Sequence, residues 1–120
     1  MELKLASADR PPHADKPERR RSKLVRRIDQ QLAQLKTLGD GEGWLPSWVW
    51  ISDTGTYYVP LRYGRVSLEL KKGMFSVECS NLDEVENALC QLRAMVVRGD
   101  LDSQLEAAAG QLRAGFASQE

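Results

Sequence analysis

The chain has 120 residues with 17 acidic and 17 basic side chains, a size that suits one domain with its own core and no large net field. Two cysteines, Cys79 and Cys90, are too few for a disulfide framework or a zinc site and read as buried free thiols; His13 has no ligand-type partner nearby, so no metal and no cofactor is expected. No run approaches the ~18 apolar residues of a membrane span, and Leu3, Leu5 and Ala6 lead straight into Asp9, Arg10 and two prolines instead of a signal peptide, so a cytoplasmic protein without membrane contact is expected.

The balanced charge is unevenly laid out. Residues 10–27 hold eight cations against two anions, whereas residues 73–120 hold three cations against eight anions. A basic segment of this kind suits nucleic acid or an acidic partner, or it is neutralised by the acidic half of the same molecule or of a second copy.

In chain order, residues 1–14 read as an arm. Residues 1–5 could add an edge strand, but Pro11-Pro12 breaks regular structure. The remainder, 15–120, reads as a single α+β domain. Asp15-Lys16-Pro17-Glu18 signals a helix start, with Asp15 as cap and Pro17 in the first turn. The helix runs to about Leu38, and Val25, Ile28, Leu32 and Leu35 form its apolar stripe, expected to lie on the domain's own sheet. Gly39, Gly41 and Gly43 make a connector.

Four strands are then expected at 48–51, 56–62, 66–70 and 74–79, joined by short turns as an antiparallel meander. Trp48 and Trp50 would share one face of the first strand. Pro60 marks an edge or a bulge in the second. Asn81 caps a helix carrying Val85, Leu89, Leu92 and Val96, which Gly99 stops. Asp100 caps a last helix carrying Leu101, Leu105, Ala108, Leu112 and Phe116. The expected fold is therefore an N-terminal helix, a four-stranded antiparallel meander and two C-terminal helices packed on the sheet.

No signature of bond-making chemistry survives scrutiny. Asp53-Thr54-Gly55 matches the aspartic-protease triplet, but Asp and Gly also favour an ordinary hairpin turn. Cys79 and His13 lack a third group and an oxyanion element. No Gly-rich phosphate loop and no paired-His motif is present. The chain is read as a non-enzyme.

The better candidate is a contact surface. Arg19, Arg20, Arg21, Lys23, Arg26 and Arg27 can track phosphates along a helix, with Arg62, Arg65, Lys71 and Lys72 adding to them at strand ends. Trp44, Trp48, Trp50, Tyr57 and Tyr58 can supply stacking faces. Their bland alternatives are a solvated helix face and core packing.

Several motifs also carry a resemblance: Arg20-Arg21-Ser22-Lys23-Leu24, Trp48-Val49-Trp50, Arg62-Tyr63-Gly64 and Leu112-Arg113-Ala114-Gly115-Phe116. On these, roughly over 20–116, the chain resembles an uncharacterised family of small proteins encoded by tailed phages and prophages of Gram-negative bacteria. The family pattern has a basic Arg-Arg-x-Lys-Leu segment, a tryptophan cluster, an Arg-Tyr-Gly turn and a C-terminal Leu-Arg-x-Gly-Phe. Here the connector is shorter and Trp-Val-Trp replaces a continuous tryptophan run. The resemblance implies an origin and not an activity. A fainter topological likeness is to single-stranded DNA binders built of four strands and a helix, and fold alone does not fix function.

The resulting expectation is a phage or prophage interaction protein that binds a host or phage macromolecule, with inhibition of a host defence system as one form. A single-stranded nucleic-acid-binding accessory protein using the same residues is the alternative, and a homodimer is compatible with either.

Overall fold

Leu24, Ile28, Gln31 and Leu35 follow helical spacing, and they are the residues that helix α1 (Lys16–Gly39) buries. The stripe is turned slightly from the expected one, because Val25 and Leu32 sit half-buried at its margin. The reason is the partner. α1 packs chiefly against α2 (Leu82–Arg98) and α3 (Asp102–Ala117) instead of lying mainly on a sheet. The computed structural model describes residues 3–7, 16–39, 41 and 43–117. His13 and the expected cap Asp15 lie outside the described residues. Residues 3–6 pair with no strand among the described residues, and Leu3 and Leu5 are exposed, so the expected edge strand is not formed there.

Two small sheets replace the expected meander. β1 (Trp50–Ile51), β2 (Tyr57–Pro60) and β5 (Ser76–Cys79) form one antiparallel sheet in the order β1-β2-β5. β3 (Arg62–Tyr63) and β4 (Val66–Ser67) form a separate hairpin. The run expected over 56–62 breaks at Leu61, whose carbonyl accepts the Leu68 N–H at 2.8 Å. Leu61 and Leu68 are both fully buried, so the bend places two leucines in the core. Residues 66–68 therefore fold back on 61–63, and β5 passes them to pair with β2, Tyr57 opposite Cys79 and Val59 opposite Val77. The likeness to four-strand DNA binders loses its basis with the meander.

Pro60 fits this arrangement. β1 reaches only Tyr57 and Tyr58, so Pro60 has β5 alone beside it, where a missing N–H is tolerated. Trp48 is not in a strand at all. It stands in a turn closed by the Val49 N–H on the Pro46 carbonyl at 3.0 Å, so Trp48 and Trp50 share no sheet face.

α2 forms as its sequence specifies. The Asn81 side chain accepts the Glu84 N–H at 2.9 Å, and the Glu84 carboxylate accepts the Ser80 N–H at 2.7 Å. Val85, Leu89, Leu92 and Val96 are buried, and α2 covers β2 and β5. Gly99, at φ +86°, closes the helix in the left-handed conformation. α3 begins at Asp102, whose N–H donates to the Gly99 carbonyl at 3.2 Å, and the Asp100 carboxylate accepts from Arg98 at 3.1 Å. α3 packs on the hairpin; Leu101, Leu105 and Ala108 are buried, Leu112 is half-buried, and the Phe116 side chain is outside the described residues. Of the two thiols only Cys79 is buried, since Cys90 lies on the outer side of α2.

Candidate functional site

α1 has two flanks on either side of its buried stripe, and they are furnished differently. On one flank Arg21 donates from Nε to Asp102 Oδ1 at 2.8 Å and from Nη2 to Asp102 Oδ2, tying α1 to the start of α3. The Arg21 hydrogen bonds hold the Asp102 carboxyl below its usual range. Farther along, Asp29 accepts from Arg93 of α2 at 2.8 Å. Charge pairs with the two C-terminal helices thus neutralise this flank, an acid of α3 meeting Arg21 and a cation of α2 meeting Asp29.

The other flank carries Arg20, Lys23, Arg27, Gln30 and Gln34, at alternating three- and four-residue spacing. Two open clefts lie along it. The first, about 380 Å³, has Arg19, Arg20, Lys23 and Arg113 around its rim. Tyr63, Ala109 and Leu112 form its floor, and the Lys23 ammonium stands 5.2 Å from the Tyr63 ring centroid. The second, about 390 Å³, lies between Arg27, Gln30 and Gln34 of α1, the Ser47-Trp48 turn, and Arg62 with Gly64 of the hairpin. No acidic side chain among the described residues lines either cleft. Arg20, Lys23 and Arg113 make no hydrogen bond or ion pair with other described residues.

The hairpin that separates the clefts owes its shape to Gly64. Two residues, Gly64 and Arg65, connect the paired positions Tyr63 and Val66. Gly64 has φ +62° and Arg65 does not have positive φ, which is the type II′ pattern. A Cβ at Gly64 would come 3.1 Å from Leu112 Cδ1, so the turn sits tight against α3. This brings Arg113 of α3 and Tyr63 of the hairpin to the same cleft. Arg62 donates from Nη2 to the Arg65 carbonyl at 3.2 Å, while its buried Nε has no hydrogen-bond partner among the described residues.

Gln31 sets the wall of the second cleft. Its Oε1 accepts the Trp48 N–H at 2.9 Å and its Nε2 donates to Ser47 Oγ at 3.1 Å. Gln34 accepts the Ser47 N–H at 3.2 Å. A buried amide therefore clamps the Ser47-Trp48 turn to α1.

Of the residues expected to form a contact surface, Arg19, Arg20, Lys23, Arg27, Trp48 and Arg62 are brought to these clefts. Arg21 is not, because Asp102 holds it. Arg26 is exposed away from both clefts, and Arg65 stands at the hairpin tip. Trp44 is 88 % exposed, and Tyr57 packs against the core. Trp50 stacks on Tyr58 across the sheet, with centroids 4.2 Å apart. These three aromatic side chains line neither cleft, so the expected union of indoles and guanidinium groups is only partly realised. Lys71 and Lys72 border a different groove, which also contains Glu69. Tyr63, Arg113 and the glutamines are site residues that sequence reasoning missed.

Asp53 lies exposed in a turn whose own hydroxyls satisfy it, with Ser52 Oγ accepting the Thr56 N–H at 3.2 Å. Burial, and then the Glu84 charge, push the Cys79 thiol up, away from thiolate reactivity. Among the described residues no three His, Cys, Asp or Glu side chains gather as a metal site, and no helix is long and apolar enough to cross a membrane. No family model matches the chain, and neither a curated protein nor a solved structure is significantly similar to it.

Proposed function

We propose that this chain is a non-enzymatic interaction protein that docks a host or phage macromolecule on the basic flank of α1. The observation that carries the proposal is the gathering of Arg20, Lys23, Arg27, Arg62 and Arg113 from two helices and a hairpin around two clefts that no described acid lines. Like charges so collected repel one another, and an anionic partner relieves that repulsion. Phage or prophage origin comes from the resemblance in the Arg20-Arg21-Ser22-Lys23-Leu24, Arg62-Tyr63-Gly64 and Leu112-Arg113-Ala114-Gly115-Phe116 motifs. Inhibition of a host defence system is one concrete form of such docking. The reading assigns the chain no catalytic residue and no cofactor.

Affinity capture from a Gram-negative bacterial lysate tests it. Immobilised wild type should retain a macromolecule that Arg20→Glu/Arg113→Glu releases, with the thermal melt of the variant unchanged. Equal retention by both proteins would remove the basic flank from the account.

A further inference from the structure

Resting on that reading of the basic flank, we infer that its occupant is a single strand of nucleic acid, with phosphates along the two clefts and a base on Tyr63. Three features on the flank point there. First, the cations form a track and not a point. Arg20 and Arg27 are two helical turns apart, about 10 Å along α1, and each heads its own cleft beside the same hairpin. A single small anion fills one cleft; a polymer with regularly repeated charge fills both.

Second, each cleft pairs its cations with a half-buried ring, Tyr63 in the first and Trp48 in the second. An acidic peptide uses the cations and leaves the rings idle. A duplex also uses the cations, but its bases are stacked on one another. Only an unpaired strand offers both phosphates and free base faces. Lys23 already covers Tyr63 as a cation, and a phosphate beside it draws the ammonium aside and frees the ring. Third, the second cleft holds further donors, since Arg27, Arg62 and Gln30 all line it. A phosphate or a base edge satisfies such groups.

Fluorescence anisotropy with labelled oligo(dT) of about 15 nucleotides, a duplex of equal length and a poly-Glu peptide tests the inference. The single strand should bind most tightly. If four phosphates are engaged, its affinity should fall roughly fifty-fold between about 50 and about 200 mM salt. Arg20→Gln/Arg113→Gln should weaken binding and flatten that dependence. Tyr63→Leu, which keeps an apolar side chain but loses the ring, should weaken binding roughly ten-fold, in the range measured for one stacked base, and Tyr63→Phe should retain it. Tighter binding of poly-Glu, equal binding of the duplex, no binding of oligo(dT) at the lower salt, or an unaffected Tyr63→Leu overturns the inference. If lysate capture still depends on Arg20 and Arg113 in that case, the docking flank stands and only its occupant was misassigned.

Discussion

Arg20 and Arg21 are neighbours in sequence and opposites in use. Arg21 faces Asp102 and spends its guanidinium on holding α1 to α3. Arg20, about 100° farther round the helix, lines a cleft with Lys23 and Arg113 and bonds to no acid among the described residues, although its charge still adds a little to the lowering of the Asp102 carboxyl. The two flanks of α1 continue that contrast, with Asp29 and Arg93 paired on one side and Arg27 and Arg62 gathered on the other. The lesson is that a run of arginines carries two separate messages. Helical rotation sorts its members into those that hydrogen-bond to the acidic half of the chain and those that line the clefts.

Breaking the clamp that shapes the basic flank should have the largest effect on stability. Gln31→Ala leaves the Trp48 N–H without its acceptor next to the core, at a cost of about 1–3 kcal/mol. Chemical denaturation should register that loss, and Trp48 fluorescence should shift as its turn loosens. On the paired flank, Gly99→Ala should cost about 1–2 kcal/mol, the penalty for a side chain in left-handed backbone. The new Cβ would also press within 3.1 Å of Arg21 Nη2 and 3.2 Å of Asp102 Oδ2. A thermal melt reports the loss, and any polyanion binding of the folded protein should be unchanged.

A smaller effect separates the flanks by pH. Arg21 keeps the Asp102 carboxyl ionised, so the pair stabilises the fold above the ordinary carboxylate range and loses that contribution as pH falls through the lowered folded value. Wild type should therefore lose more stability than Asp102→Asn on acidification below about pH 4. The pair is a third exposed, so the difference should stay within about 1 kcal/mol. Smallest of all, Arg26→Ala should change stability by no more than about 0.5 kcal/mol and leave binding intact, because Arg26 lines neither cleft.

Much of the fold is legible before any coordinates. The Asn81 cap, the stripe from Val85 to Val96 and the Gly99 stop are local features, so local spacing reveals them. The helix-strands-helix-helix order follows from the same periodicities. The sheet differs from the expected meander because strand pairing is not local. Thr56, Arg62 and the residues between them alternate well enough for one strand, yet burying Leu61 and Leu68 together required a bend that no alternation signals. The site was half legible. Charge counting found Arg20, Lys23 and Arg27, but it did not separate Arg21 from them, since Asp102 lies 81 residues away. Tyr63 and Arg113 meet only once Gly64 has turned against Leu112. Gln31 stands in the apolar stripe, and a polar residue in that register was the available signal for a buried clamp.

The most direct measurement is the salt concentration at which the protein leaves a heparin column, compared between two double variants of equal charge change. Arg20→Gln/Arg113→Gln removes two cations from the unpaired flank, and Arg21→Gln/Arg93→Gln removes two that already hold acids. The first variant should elute at clearly lower salt than wild type and the second close to wild type. Equal shifts would mean that the polyanion senses net charge alone, and that the basic flank is no docking face.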